Sequence, residues 1–112
     1  MKRHTYVPDR GDIVWLQFTP QAGHEQAGHR PALVLSPANY NRASGLMICC
    51  PMTSQKEGYP FEVVVTDEPD HKSLVLADQV KSLDWKAWRA IKKGSASSNV
   101  VAETLSKLHA LL

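Results

Sequence analysis

Short apolar segments separated by turn-forming residues recur along the first eighty positions of the chain. Alternating or continuous apolar residues, rich in β-branched and aromatic types, occur at Asp12–Phe18, 32–36, Leu46–Thr53, 61–66 and 74–80. Glycine, proline, asparagine and aspartate cluster between these segments, as they do in turns. This pattern predicts a strand at each of the five segments, with antiparallel neighbours.

Two stretches fit the strand pattern less well. Residues 37–45 predict a connector with room for one helical turn, and residues 88–91 suggest a sixth strand ahead of Gly94. Residues 85–88 fit a strand and a helical turn equally well, and the sequence leaves that choice open. The turn spacing over the whole region is typical of a small antiparallel β-barrel.

In the last segment, residues 97–112, the spacing of apolar residues changes from that of a strand to that of a helix. Apolar side chains and one threonine recur at helical spacing, at Val100, Val101, Thr104, Leu105, Leu108, Leu111 and Leu112. Ser97, Ser98 and Asn99 precede them, and each is a residue type that caps helix N-termini. The chain is therefore predicted to be one mainly β domain, residues 1–112, with a C-terminal amphipathic helix against the barrel.

Composition adds little to this picture except exclusions. The 112 residues are 43% hydrophobic and 21% charged, which is ordinary for a soluble globular domain and argues against disorder. No apolar run approaches a membrane span or a signal segment, so we expect no membrane association and a cytoplasmic location. Cys49 and Cys50 are adjacent, and neighbouring strand residues point to opposite faces, so a disulfide between them is not expected.

The formal net charge is +2, but the charged residues are unevenly distributed along the chain. Residues 1–56 carry six Lys/Arg against three Asp/Glu, and residues 81–93 carry five bases and one acid. Such segregation suits a face that binds a polyanion. A solvated surface with accidental clustering explains the charge pattern equally well.

The densest cluster of ionisable side chains lies in a glycine-bounded loop before the second predicted strand. Within seven residues this loop holds His24, Glu25, His29 and Arg30. The two histidines are five residues apart, which does not match the spacing of helical zinc ligands, so no metal site is predicted. Arg30 needs an anion, and a ligand phosphate or the Glu25 carboxylate would satisfy it.

A second group of polar donors follows the third predicted strand. Thr53 is followed by Ser54, Gln55 and Lys56, which places hydroxyl, amide and ammonium groups where a strand opens into a loop. Such donors can hold a phosphate. Ordinary turn polarity is the alternative explanation for this segment.

Four blocks taken together resemble the MazF/PemK family of toxin endoribonucleases, in order and over nearly the whole chain. They are GDIVW at residues 11–15, EQAGHRPALVLS at 25–36, PMTS at 51–54 and LADQVK at 76–81. The resemblance implies an SH3-like antiparallel barrel of the MazF/PemK/CcdB type that forms a homodimer. It also implies cleavage of single-stranded mRNA at short sequences without metal or cofactor, and inhibition by an acidic antitoxin.

The resemblance also assigns candidate site residues. Arg30 matches the catalytic arginine of the family, and Thr53 matches its catalytic Thr/Ser. The further candidates for catalysis or RNA binding are Glu25, His29, Gln79, Lys56 and Asn41. The expected products carry 2′,3′-cyclic phosphate and 5′-hydroxyl ends, and the general base stays unassigned because a guanidinium holds its proton too tightly.

Two other functions fit the same fold. One is a non-enzymatic toxin that binds a protein such as DNA gyrase, as CcdB-type toxins do, and the other is an RNA-binding barrel without activity. The presence of both Arg30 and Thr53 in their motifs favours the nuclease.

Overall fold

The computed structural model describes residues 6–18, 28–55, 58–68 and 71–112. Its elements in chain order are β1 (Asp12–Phe18), β2 (Gly28–Val34), α1 (Ala38–Ser44), β3 (Leu46–Thr53), β4 (Glu62–Glu68), β5 (His71–Leu76), a 3-10 turn (Ala77–Gln79), β6 (Lys81–Asp84), β7 (Ile91–Ser95) and α2 (Ser98–His109). The strands pair only in the antiparallel sense within this part of the chain. The prediction of a mainly β, antiparallel domain with a C-terminal helix is confirmed.

Strand β3 lies at the centre of the sheet. The pairing order is β4-β5-β3-β2-β1-β7, and β6 also pairs with β3. One edge of β3 pairs with β2, and the other edge pairs first with β6, through Cys49, and then with β5, from Met52. Pro51 lies where the second edge changes partner, at a point where its missing N–H costs little.

Alternate residues of the central strands separate two hydrophobic clusters on opposite faces of the sheet. The first cluster contains Ile13, Leu33 and Cys50, together with residues of β4 and β5. The second contains Val14, Val34, Met47, Cys49 and Trp85. Cys49 and Cys50 are thus buried thiols on different faces, as predicted, and burial raises the pKa of the Cys49 thiol to about 11.

Helix α2 covers the first cluster. Four of its apolar side chains pack there, namely Val100, Val101, Leu105 and Leu108. The predicted apolar stripe also included Leu111 and Leu112, but these lie beyond the helix and are 50% and 93% exposed. The apolar face of α2 is therefore mostly used within the domain.

A side chain caps the N-terminus of α2. Ser97 is its N-cap, and the Ser97 hydroxyl accepts a hydrogen bond from the Val100 N–H at 3.2 Å. Replacing Ser97 with alanine removes this acceptor and should lower the free energy of unfolding by about 1 kcal/mol. Ser98→Ala is the matched control, since Ser98 is exposed inside the helix and should change stability by less than about 0.5 kcal/mol. Urea unfolding monitored by circular dichroism measures both, and equal effects would contradict the capping role.

The structure corrects several predicted boundaries. Strand β2 begins at Gly28 and ends at Val34 rather than spanning 32–36, because pairing with β1 continues into the polar residues His29 and Arg30. The segment 37–45 forms helix α1, which ends where the N–H of Gly45, at a left-handed φ of +78°, donates to the Asn41 carbonyl.

The later strands also differ from the prediction. Strand β5 ends at Leu76, and the 3-10 turn follows in place of the rest of the predicted strand. Residues 85–89 form a turn with Arg89 at a φ of +53°, and the last strand lies at Ile91–Ser95 instead of 88–91. Strand β6 was not predicted, because its side chains are mainly exposed and carry no apolar alternation. No helix in the described ranges is both long and apolar enough to span a membrane.

Candidate active site

Arg30 lies on β2, directly opposite Leu16 of β1. Leu16 belongs to the second hydrophobic cluster, and residues paired across neighbouring strands point to the same face. The Arg30 side chain therefore projects on the second face of the sheet, at the end of β2 where that face is no longer covered, and it is exposed.

The register between β2 and β3 shows which face of the sheet carries Thr53. The two strands pair with Ala32 opposite Pro51, and both strands continue for two more residues in the direction of Arg30 and Thr53. The paired residues end at Ala32 and Pro51, and two residues further along each strand the strand period of two puts Arg30 and Thr53 on the face of Ala32. The two predicted catalytic residues thus share one face of the sheet.

Thr53 opens into a cleft of about 510 Å³. The described residues that line it are Thr53, Gln55, Gly58, Tyr59, Pro60, Glu62, Leu76 and Gln79. The Thr53 hydroxyl accepts a hydrogen bond from the Gln55 N–H at 3.2 Å, which leaves its own O–H hydrogen able to donate to an anion. The structure therefore brings Thr53 and Gln79, two residues predicted separately, into one cleft.

The far wall of the cleft is built around Tyr59 and Glu62. Oε1 of Glu62 accepts hydrogen bonds from the backbone N–H groups of Gly58 and Tyr59 at 3.1 and 3.3 Å. The Tyr59 hydroxyl donates to Asp78 Oδ2 at 2.7 Å, and this hydrogen bond raises the Tyr59 pKa above its ordinary value. The sequence did not single out Tyr59 or Asp78 as site residues, because only the fold brings the 58–60 turn against the 3-10 turn.

His29 faces the opposite side of the sheet from Arg30. It pairs with Gln17, and its ring lies 5.6 Å from the ring of Trp15 at an angle of 46°. Lys93 Nζ lies 5.1 Å from the centre of the same Trp15 ring. The structure does not bring His29 together with Arg30 and Thr53, although His29 and Arg30 are adjacent in the sequence.

Asn41 is also separate from the cleft. Its side chain is fully buried, and its amide nitrogen donates to the carbonyl oxygens of Pro8 and Ser36 at 2.7 and 3.0 Å. Its Oδ1 accepts from the Ser36 hydroxyl at 2.6 Å. The prediction that Asn41 contacts RNA is not supported, because the side chain has no exposed surface and its polar atoms are already bonded.

Two further candidates, Glu25 and Lys56, lie outside the described residues, as does His24. Within the described ranges, no three His, Cys, Asp or Glu side chains come close enough together to hold a metal ion. The candidate site in the described residues is therefore the face that carries Arg30 and Thr53, together with the cleft beside it.

A family model for the PemK-like, MazF-like toxins of type II toxin-antitoxin systems matches residues 9–112. The chain belongs to this family. The Escherichia coli K12 protein named endoribonuclease toxin MazF is 48% identical over 107 residues, which cover 96% of each chain.

Solved structures of MazF proteins share the fold. A MazE-MazF crystal structure from Deinococcus radiodurans matches with a TM-score of 0.88 and 55% identity, covering 96% of each chain. A crystal structure of MazF from the same organism matches with a TM-score of 0.81 and 55% identity, over 96% of this chain and 97% of the other. These matches confirm the predicted MazF/PemK fold and the toxin family, and they favour the nuclease over the gyrase-binding alternative.

Proposed function

We propose that this endoribonuclease toxin cuts single-stranded mRNA at short sequences, with the scissile phosphate held between Arg30 and Thr53. The observation that supports the proposal is that Arg30 and Thr53, on the neighbouring strands β2 and β3, project from the same face of the sheet, each two residues beyond the last pair, Ala32 and Pro51. The cleft that begins at Thr53 gives the adjoining nucleotides a place to lie.

Cleavage follows from the chemistry of the RNA itself. The ribose 2′-hydroxyl attacks the adjacent phosphorus, the bond to the 5′-oxygen breaks, and the products carry a 2′,3′-cyclic phosphate and a 5′-hydroxyl. Negative charge grows on the phosphate oxygens as the new bond forms. Arg30 neutralises this charge through its planar set of donors, and the Thr53 O–H donates to a non-bridging oxygen.

The attacking hydroxyl must lose a proton, and the leaving oxygen must gain one. Arg30 is a poor base because a guanidinium stays protonated in proteins. His29 was one of two candidates for proton transfer with Glu25, but it projects on the other face beside Trp15. The proposal therefore gives His29 no part in proton transfer and leaves Glu25 as the candidate that takes the proton from the 2′-hydroxyl and returns it to the leaving 5′-oxygen. The reaction is proposed to be independent of metal ions.

Partners follow from the family and the charge distribution. The similar crystal structure from Deinococcus radiodurans is one of MazE-MazF. We propose that this chain likewise binds a cognate antitoxin with an acidic segment that competes with RNA for the Arg30 face, and that it works as a homodimer in the cytoplasm. Acidic chains and RNA compete because both are polyanions attracted by the same basic groups.

Incubation of the purified protein with a long single-stranded RNA in excess EDTA tests the reaction. We expect discrete cuts at one short sequence, with 5′-hydroxyl ends detected by phosphorylation with polynucleotide kinase. Thr53→Val keeps the shape of the side chain but removes the hydroxyl, and it should lower kcat about 100-fold. Thr53→Ser restores a donor at the same place and should recover most of that loss.

Three outcomes would contradict the proposal. Intact RNA together with inhibited gyrase would favour a protein-binding toxin, and RNA binding without cleavage would favour an inactive RNA-binding barrel. Loss of cleavage in EDTA, restored by a divalent cation, would overturn the metal-free mechanism.

A further inference from the structure

An exposed aromatic ring forms one wall of the cleft that contains Thr53. Tyr59 is 46% exposed, and among the described residues lining the cleft it is the aromatic one. Gln79 and Thr53 line the same cleft. None of the chemistry at the scissile phosphate uses this ring.

The Tyr59 ring is held in place at both ends. Its inner side lies against the ring of Phe61, with centroids 5.8 Å apart, and Phe61 packs on the first hydrophobic cluster. Its hydroxyl is bonded to Asp78 Oδ2 in the 3-10 turn. In the described part of the chain, Asp78 Oδ1 is buried without a hydrogen-bond partner, so the bond to Tyr59 is what fixes this carboxylate relative to the cleft wall.

The backbone beneath the ring is also fixed. Gly58 has a φ of +76°, a conformation that side chains disfavour, and its N–H is bonded to the buried Glu62 carboxylate together with that of Tyr59. A ring that is already ordered loses little conformational entropy when a ligand binds to it. The wall is therefore suited to receive a flat ligand.

We propose that Tyr59 is a stacking platform for one nucleobase next to the scissile phosphate, and that Asp78 is the positioning residue that holds the ring. This inference rests on the proposed function, because the ligand is the RNA that Arg30 and Thr53 cut. Single-stranded RNA is recognised largely through unstacked bases that lie on aromatic side chains. Stacking of one base strengthens binding by about tenfold or more.

The first measurement compares two substitutions at Tyr59. Tyr59→Leu removes the aromatic face and should raise KM for a short oligoribonucleotide about tenfold, with kcat within about threefold of the wild type. Tyr59→Phe is the matched control, since it keeps the face and loses only the hydroxyl, and should raise KM less than about threefold. Equal KM values for Tyr59→Leu and the wild type would overturn the proposal.

The second measurement separates stacking from a general loosening of the cleft. A series of oligoribonucleotides carries one abasic residue at each position around the cut. In the wild type, one position next to the cut should show a KM penalty of about tenfold, and this penalty should disappear in Tyr59→Leu because the base has lost its platform. The proposal would be overturned if, at every position, the abasic residue raised KM by the same factor in Tyr59→Leu as in the wild type.

Asp78 is tested by rescue. Asp78→Ala removes the acceptor and should lower the abasic penalty at the same position by the small factor that Tyr59→Phe produces, because both break the same hydrogen bond, whereas Asp78→Asn offers an amide oxygen to the hydroxyl and should retain the full penalty. An unchanged penalty in Asp78→Ala would remove Asp78 from the proposal. If the wild-type protein cuts no RNA, the proposed function fails; if it cuts RNA and the penalties stay independent of Tyr59, only the stacking inference fails.

Discussion

Replacing Arg30 with alanine should lower kcat/KM for RNA cleavage by about 1,000-fold or more, which corresponds to roughly 4 kcal/mol of lost transition-state stabilisation. The reason is charge. The phosphate gains negative charge as the 2′-oxygen attacks, and alanine leaves Thr53 with one neutral donor to offset it. Initial rates on a fluorescent oligoribonucleotide, with the wild type and variant at several concentrations, measure the loss.

The control must remove a guanidinium without touching the site. Arg42 is exposed on α1, which follows the end of β2 opposite to Arg30, so Arg42→Ala makes the same change in net charge away from the reacting phosphate. Its kcat/KM should stay within about threefold of the wild type at moderate salt. Comparable losses in both variants would mean that general electrostatic attraction, and not a contact with the phosphate, explains the effect of Arg30→Ala.

Arg30→Lys distinguishes positive charge from geometry. Lysine keeps the charge but replaces the planar set of donors by a single ammonium. We expect cleavage between that of the wild type and that of Arg30→Ala. Wild-type activity in Arg30→Ala would remove Arg30 from the reaction altogether.

Elements that bury one face were predictable from the sequence. Asp12–Phe18 and Leu46–Thr53 match the structure at both ends, since each carries the apolar pattern that its burial requires. Strand β6 carries almost none, because it is held by pairing of its backbone with β3 rather than by burial of its side chains. Backbone pairing leaves no periodic mark in a sequence.

The candidate site also has a part that local sequence predicts and a part that only the fold reveals. Arg30 and Thr53 could each be selected from local motifs, but the face that they share follows only from the β2–β3 register. His29 shows the opposite case, because adjacency in the sequence placed it with Arg30 and strand alternation separates the two. Tyr59 and Asp78 lie 19 residues apart, so only the fold reveals their hydrogen bond.

Asn41 looked like a polar loop residue and is a structural one, and its replacement should have the largest effect on stability. Asn41→Ala should lower the free energy of unfolding by about 3–5 kcal/mol. It leaves the carbonyl oxygens of Pro8 and Ser36 without the amide donor, and leaves the Ser36 hydroxyl without its acceptor. These groups are buried, so water cannot replace the lost bonds without opening the structure.

The consequences extend beyond α1, because Ser36 also accepts from the N–H of Ile48 at 2.8 Å and so joins the network to β3. Asn39→Ala is the matched control: Asn39 is exposed on the same helix, and its loss should cost less than about 0.5 kcal/mol. Urea unfolding gives both values. At a temperature where Asn41→Ala is fully folded, its KM for RNA should equal that of the wild type, because a side chain with no exposed surface cannot contact the substrate. A raised KM with little loss of stability would instead return Asn41 to the RNA-binding surface, and would mean that α1 opens when RNA binds.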